Sequence, residues 1–427
     1  MIIKNFKKLA TNHEKKVALE ILDAGIYAAM PHHTFKKIVR KDKLCIGNAR
    51  ISLAKYRKIF VIAFGKAADS MAKSISLIVN VDGGIIVLPM HSCSIFKNKK
   101  FKIFHAGHPI PNKYSVRAVK AILKFLKQRQ CTDFIIFLVS GGGSSLVSIP
   151  EGITLNEKKI VTDLLLKSGA DIHEINCIRK HLSKIKGGKM AEHLSCDAVS
   201  LVMSDVVGDD LSVIASGATY CDHSTFNDAK KTLEKYGLKK SIPQNVLQRI
   251  KLGMTGKVPE TPKSPKMPNY TIASNKDCLH AMVKKAKSLG LKTKVVYPVT
   301  GDVKYAAKKL VKLILNDSKS CLIFGGETTV RVTGAGKGGR NQELVLHVLD
   351  EIQKLNKKIT IASIGTDGKD GNTNACGAIV SSSESKLKDI RDFLQNNDSY
   401  YFFKKHGGLM FTGPTHTNLM DIGIILR

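Results

Sequence analysis

The stretch that most constrains this chain is Phe134–Leu146, FIIFLVSGGGSSL. It opens as a short apolar run rich in β-branched and aromatic residues, the pattern of a strand buried on both faces. It closes on Ser140, Gly141, Gly142, Gly143, Ser144 and Ser145. Three consecutive glycines contribute nothing to packing; they free the backbone and remove side chains that would hold an anion away. A strand ending in a bare Gly/Ser loop is how α/β proteins offer backbone N–H groups to a phosphate or carboxylate, although a plain tight turn has the same composition. Downstream, Thr154 with Glu157 has the capping-box spacing that opens a helix over 157–168.

At 427 residues the chain is long enough for two or three domains with substantial cores. No apolar run approaches the length of a membrane span, and the lysine-bearing start reads as the first amphipathic helix of a mature protein. Nine cysteines without a close CxxC pair suggest reduced thiols and a cytoplasmic location. The formal charge of +33, from 68 basic against 35 acidic residues, suits nucleic acid, or a lysine-coated enzyme that handles anionic ligands. The lysines are scattered along helices. With no helix-turn-helix, zinc-finger or RRM signature, nucleic acid is not the expected partner.

Strands alternate with helices along both halves, including helices expected over 12–29, 341–355 and 384–395. Residues 256–269, GKVPETPKSPKMPN, carry four prolines and read as an extended connector. The expected organisation is an N-terminal α/β domain over 1–255 with the glycine-rich anion loop, the connector, and a C-terminal α/β domain over 270–427. The fold class is α/β: two doubly wound, Rossmann-like domains, in whose sheets ligands bind at strand ends.

Several loops after strands carry chemistry. Lys66, in FGKAA, lies just past a strand and can place a point charge on a phosphate; the chain has no Walker A loop. The segment Glu174–Lys189 gathers Arg179 and Lys186 among other cations, either at a phosphate-facing helix end or on a solvated basic face. In SDVVGDD, Asp205, Asp209 and Asp210 could hold Mg²⁺ or accept a hydroxyl proton, Asp205 first among them because it lies nearest the strand end, and a cap with a turn would look the same. In GGETTVRVTGAGKGGRNQE, Gly334, Gly336 and Gly339 formally satisfy GxGxxG, which admits a dinucleotide. Otherwise the loop delivers Lys337 and Arg340 to phosphate oxygens. His416 reads as a local hydrogen-bonding residue, and the histidine spacing does not suggest zinc.

Taken together, LVSGGGSSL, SGADIHEINCIRKHLSKIKGGKMA, MSDVVGDDLSVIASGAT, FGGETTVRVTGAGKGGRNQELVL, IGTDGKDGNTNACGA and FTGPTHTNLMDIGI closely resemble the glycerate 2-kinase family of the MOFRL type, in the family's order and over nearly all of the chain. The resemblance implies ATP- and Mg²⁺-dependent phosphorylation of D-glycerate to 2-phosphoglycerate, with the active site in an interdomain cleft. It implies Lys66 and Arg340 as catalytic cations. Asn176, Arg179, Glu327, Asp367 and Asn341 follow as binding residues by motif position, beside Ser140–Ser144, Lys186 and Lys337. Glycerate and nucleotide are the implied partners, and homo-oligomerisation is left open. Relatives usually have an aspartate where this chain has Asn112, and another where it has Asn374; Ala218, with Cys221 and Asp222, replaces the usual SGPT-x-PD pattern. The rival readings are an NAD(P)H-dependent hydroxypyruvate reductase, which needs a nicotinamide site at Gly334–Gly339, and a basic nucleic-acid-binding protein.

Overall fold

In the computed structural model, the apolar run before the glycines is the strand Asp133–Val139, buried at every position. The structure describes all residues except 317–319, 354, 356–357 and 383–388. The chain forms two compact units, Phe35–Ile272 and Met1–Thr34 together with Ala273–Arg427.

The unit Phe35–Ile272 is built on six strands: β1 (Lys58–Phe64), β2 (Gly83–Pro89), β3 (Phe101–Ala106), β4 (Asp133–Val139), β5 (Asp197–Met203) and β6 (Asn269–Ala273). Their order in the sheet is β3-β2-β1-β4-β5-β6, and the pairings from β3 through β5 are parallel. Parallel strands are covered by helices on both faces, which is why β1 and β4 read as near-continuous apolar runs. The strand order reverses between β1 and β4, so the loops at their carboxyl ends diverge and leave the crevice where ligands bind in doubly wound sheets. Helices Leu155–Lys167, Ile172–His181, Phe226–Lys235 and Gln244–Met254 add a separate apolar core around Leu165, Ile178, Phe226 and Val246. The expected capping box is present: Glu157 N–H donates to Thr154 Oγ1 at 3.1 Å, and Thr154 N–H to Glu157 Oε2 at 2.7 Å.

The second unit has β7 (Thr293–Asp302), β8 (Cys321–Thr329), β9 (Thr360–Gly365), β10 (Gly377–Ser381), β11 (Leu409–Met410) and β12 (Asp421–Leu426), ordered β7-β8-β12-β9-β10-β11. It too is α/β, but only β7 and β8 pair in parallel. The chain's last long strand, β12, runs antiparallel between β8 and β9, so this sheet is mixed rather than doubly wound. Alternation of strand and helix along a sequence does not reveal such an insertion.

The N-terminal residues, expected with the first domain, pack into this second unit. Helix His13–Ala29 lies on helix Asn275–Ser288 and across β12. A Cβ on Gly25 would stand 2.8 Å from Ile422 Cδ1 and from Met282 Cγ. The proline-rich stretch 256–269 runs along the first unit: Thr261 is buried, Glu260 takes a bond from the His181 ring, and Asp222 N–H donates to Pro262 O. Of the helix expected over 384–395, residues 384–388 lie outside the described residues and Ile390–Gln395 is helical.

Candidate active site

Lys66 leaves β1 just past Phe64, and the loop Ser140–Ser144 leaves β4 beside it, with Phe64 and Val139 in register. Ser140 N–H donates to Phe64 O at 3.1 Å, Lys66 N–H to Gly141 O at 2.8 Å, and Ala67 N–H to Ser140 Oγ at 3.0 Å. The Ser140 hydroxyl, fully buried, therefore holds the turn that carries Lys66 and is not presented to a ligand. Gly142 has φ +80°, and a Cβ there would lie 2.8 Å from His108 Nε2 and 3.4 Å from Lys66 Cγ. Its bare backbone is what lets lysine and histidine converge on the loop. The Lys66 side chain is exposed. Burial, and then the Lys66 charge, lower the His108 pKa, so its imidazole is neutral at physiological pH.

Behind this loop a second layer is basic. Lys186, fully buried, donates to Ser144 O at 2.7 Å, Ser144 Oγ at 3.2 Å and Ala215 O at 3.4 Å. Ser144 Oγ lies 2.7 Å from Ser216 Oγ, which donates to Asn176 Oδ1 at 2.8 Å. The structure thus brings Ser144, Asn176 and Lys186 into one network. Arg179 follows one turn after Asn176 on the same helix. Ala215 and Ser216 sit at φ +51° and +56°, a left-handed conformation that costs roughly 1–3 kcal/mol per non-glycine residue and clusters at functional sites. Lys158, buried on helix Leu155–Lys167, bonds Ser148 Oγ at 2.7 Å.

Asp205 lies two residues beyond β5, half-buried. Asp210 is a turn residue: its Oδ1 accepts from Ser212 N–H at 2.8 Å, and its Oδ2 stands 3.8 Å from His173 Nδ1. Among the described residues no three His, Cys, Asp or Glu side chains are grouped to hold a metal ion. Mg²⁺ is commonly held by one or two carboxylates, with phosphate oxygens and water completing the shell. Asp205 fits that modest donor set; Asp210, spent on its turn, fits it less.

In the second unit Arg340 opens the helix Arg340–Ile352. Its Nε and Nη2 donate to the two oxygens of Asp421, at 2.5 and 3.1 Å, and Nη1 donates to Glu327 Oε1 at 2.5 Å. Asp421 is the first residue of β12, in register with Gly326 and Gly365. Burial works against the guanidinium charge, but Asp421 and then Glu327 outweigh it and raise the Arg340 pKa. Asp367, at the end of β9, accepts from Lys369 N–H at 3.0 Å. Glu327 and Arg340 line a cleft of ≈ 480 Å³ with Gly338, Gly339 and Asn372.

Asn341 faces inward: its amide donates to Asp370 Oδ1 at 3.2 Å and accepts from Ser363 Oγ at 2.6 Å. The glycine loop before Arg340 is not a phosphate cradle. Thr333 and Gly334 N–H donate to Asn397 Oδ1, Ala335 N–H to Asn396 Oδ1, Lys337 N–H to Asp398 Oδ1 and Gly338 N–H to Asn372 Oδ1. Gly334 and Gly336 are bare because the Asn396–Asp398 segment packs directly on them. The formal GxGxxG is therefore a packing motif here, which removes the basis of the dinucleotide reading. The Lys337 ammonium lies over the Tyr400 ring, 4.8 Å from its centroid.

No sequence pattern singles out His108, Lys158, Asp370 or Asp421 directly. The HAGHPIP loop and the acid opening the apolar strand DIGIIL were the available signals for His108 and Asp421. Nothing local distinguishes Lys158 from the many surface lysines.

The N-terminal family model, a domain of unknown function (DUF4147), matches residues 17–251, and the MOFRL family model matches residues 320–421. A glycerate 2-kinase of Pyrococcus horikoshii is 39% identical over 96% of this chain and 97% of its own length. The chain belongs to the glycerate 2-kinase family. A D-glycerate 2-kinase of Thermotoga maritima is 38% identical to this family member, covering 96% of this chain and 98% of its own. The Thermotoga glycerate kinase crystal structure superposes with TM-score 0.85 at 37% identity, over 96% and 98% of the two chains. A crystal structure of a Pyrococcus horikoshii protein superposes with TM-score 0.83 at 38% identity, over 97% and 99%. Among its described residues, no helix of this glycerate 2-kinase family member is long and apolar enough to cross a membrane.

Proposed function

We propose that this protein is an ATP-dependent kinase that phosphorylates D-glycerate to 2-phosphoglycerate in the cytoplasm. The observation that carries the reading is the meeting of Lys66 with the Ser140–Ser144 loop at the switch point of a doubly wound sheet. That is where such a fold binds an anionic ligand, and full-length relatives named as glycerate 2-kinases support the substrate.

Phosphoryl transfer passes through a loose transition state with charge spread over the transferred oxygens, so positioning and positive charge do most of the catalysis. Lys66, exposed and carried on a turn braced by Ser140, is assigned to that charge. Arg340 uses three of its five N–H groups on Asp421 and Glu327; its role is to offer the remaining two to a phosphate oxygen from a fixed orientation. The backbone N–H groups of Gly141, Gly142 and Ser144 are assigned to anionic oxygens, that of Gly143 being donated to Ser140 O at 3.3 Å. Asp205 is assigned to accept the 2-hydroxyl proton or to hold Mg²⁺. Mg²⁺, held through Asp205 and the nucleotide, would supply positive charge that neutralises the phosphate oxygens. Asn341 and Ser140 serve by holding neighbours in place.

The test is incubation of the purified protein with ATP, Mg²⁺ and D-glycerate, with the product isomer identified by NMR. The expected product is the 2-phosphate. Formation of the 3-phosphate, or NADH oxidation by hydroxypyruvate without kinase turnover, would reject the reading.

A further inference from the structure

We propose that Lys158, Arg179 and Lys186, with the Asn176 amide, form a built anion subsite that receives the carboxylate of the acceptor substrate. The proposal rests on the kinase reading and adds the residues that hold the acid group, including a lysine that no motif marks.

Neighbouring cations are matched with acids. Lys180 pairs with Asp222 at 3.1 Å, while Lys189 and Arg249 share Glu151 at 3.3 and 2.6 Å. Lys158, Arg179 and Lys186 have no such acid among the described residues; the charges acting on them are one another's and that of Lys180. Lys158 is 3% exposed, Lys186 0% and Asn176 2%, so these groups have given up water without an ionic partner. Such an arrangement is costly unless something else supplies the negative charge. Two enclosed donors also point to a missing acceptor: Asn176 Nδ2 and Arg179 Nε have no hydrogen-bond partner. The Ser144–Ser216–Asn176 chain and the left-handed Ala215–Ser216 backbone hold the donors in place before any ligand arrives. Arg179, the half-buried member, marks the open side. A small planar carboxylate fits so enclosed a set of donors better than a long triphosphate does. Burial, then Arg179, lower the Lys158 ammonium to about 7, and the groups set against it are Ser148, Arg179 and Lys186. An arriving anion would draw a proton onto it.

The experiment compares the full-length wild type with Lys158→Met and Lys158→Arg by steady-state kinetics, by calorimetry with D-glycerate alone, and by thermal melting. In K158M the Kd and KM for D-glycerate should rise about tenfold or more, with the KM for ATP within about twofold and partial recovery in K158R. Wild type should take up protons on binding D-glycerate near pH 7.5, seen in buffers of different ionisation enthalpy, and K158M should not. K158M should melt no lower than wild type, because replacing a buried, dehydrated amine with an apolar side chain offsets losing its bond to Ser148. Unchanged D-glycerate affinity overturns the proposal. So do a selective rise in the KM for ATP, which would assign the cluster to nucleotide phosphate, and a lowered melting point with both KM values shifted, which would make Lys158 structural. Should wild type bind D-glycerate without phosphorylating it, the kinase reading fails while calorimetry still decides the subsite.

Discussion

Lys66 and Arg340 are both cations at loop starts, yet their surroundings set different consequences for removing them. Lys66 projects from an exposed turn whose geometry depends on the Ser140 hydroxyl and the Gly141 carbonyl, not on the lysine side chain. Lys66→Ala should lower kcat about a hundredfold while unfolding free energy stays within about 0.5 kcal/mol, read by kinetics and urea titration of the same sample. Wild-type turnover would end the assignment. Arg340 is bound to Asp421, whose side chain is 9% exposed. Arg340→Ala leaves that carboxylate without a cation and should cost roughly 3 kcal/mol in stability as well as activity. A variant that loses turnover with an unchanged urea midpoint would contradict this pairing.

At the scale of elements, the helix Arg340–Ile352 begins without a cap of its own, since Gly339 supplies no side chain. Asp370 supplies the cap from the loop after β9, accepting from Asn341 and Gln342 N–H at 3.1 and 2.9 Å and from both their side-chain amides. Asp370→Ala should therefore destabilise the protein by about 2 kcal/mol and raise the KM for ATP through a misplaced Arg340; an unchanged melt would refute the cap. On the same helix, burial pushes the Glu343 carboxyl up to about 7, with Asn397 as its neutral partner. Because the folded pKa lies above the unfolded one, the folded state holds the proton more tightly, and stability falls as pH rises from about 4.5 to about 7. Glu343→Gln should gain about 1 kcal/mol on wild type near pH 8 and nothing near pH 4, checked by urea unfolding at both values; parallel curves would sink it. This scale also marks what the sequence makes legible. The β4 strand, its glycine loop and the Thr154–Glu157 box follow from local composition, and each is present. The loop Gly334–Gly339 misleads because glycines that admit a phosphate look like glycines that admit Asn396 and Asn397. Asp421 and Lys158 stay hidden because burial and charge pairing arise from contacts far apart in sequence.

At the scale of the whole molecule, the two sheets differ in kind, and their shared α/β class conceals one parallel and one mixed topology. The helix His13–Ala29 buries Val17, Leu19, Ile21, Leu22 and Ile26, contributing on the order of 10 kcal/mol. That is comparable with the whole stability of a domain. Residues 273–427 expressed alone should therefore be insoluble or molten, and co-expression with residues 1–34 should restore a cooperative melt. A cooperative melt without the N-terminal segment would show the helix to be dispensable. That pairing has a consequence during synthesis. The apolar face of helix His13–Ala29 meets helix Asn275–Ser288 only after about 260 further residues and β12 only after about 400, roughly 10–50 s and 20–80 s later at ordinary translation rates. Until then the helix carries an uncovered greasy stripe, which makes it a natural client for a chaperone that waits at the exit tunnel.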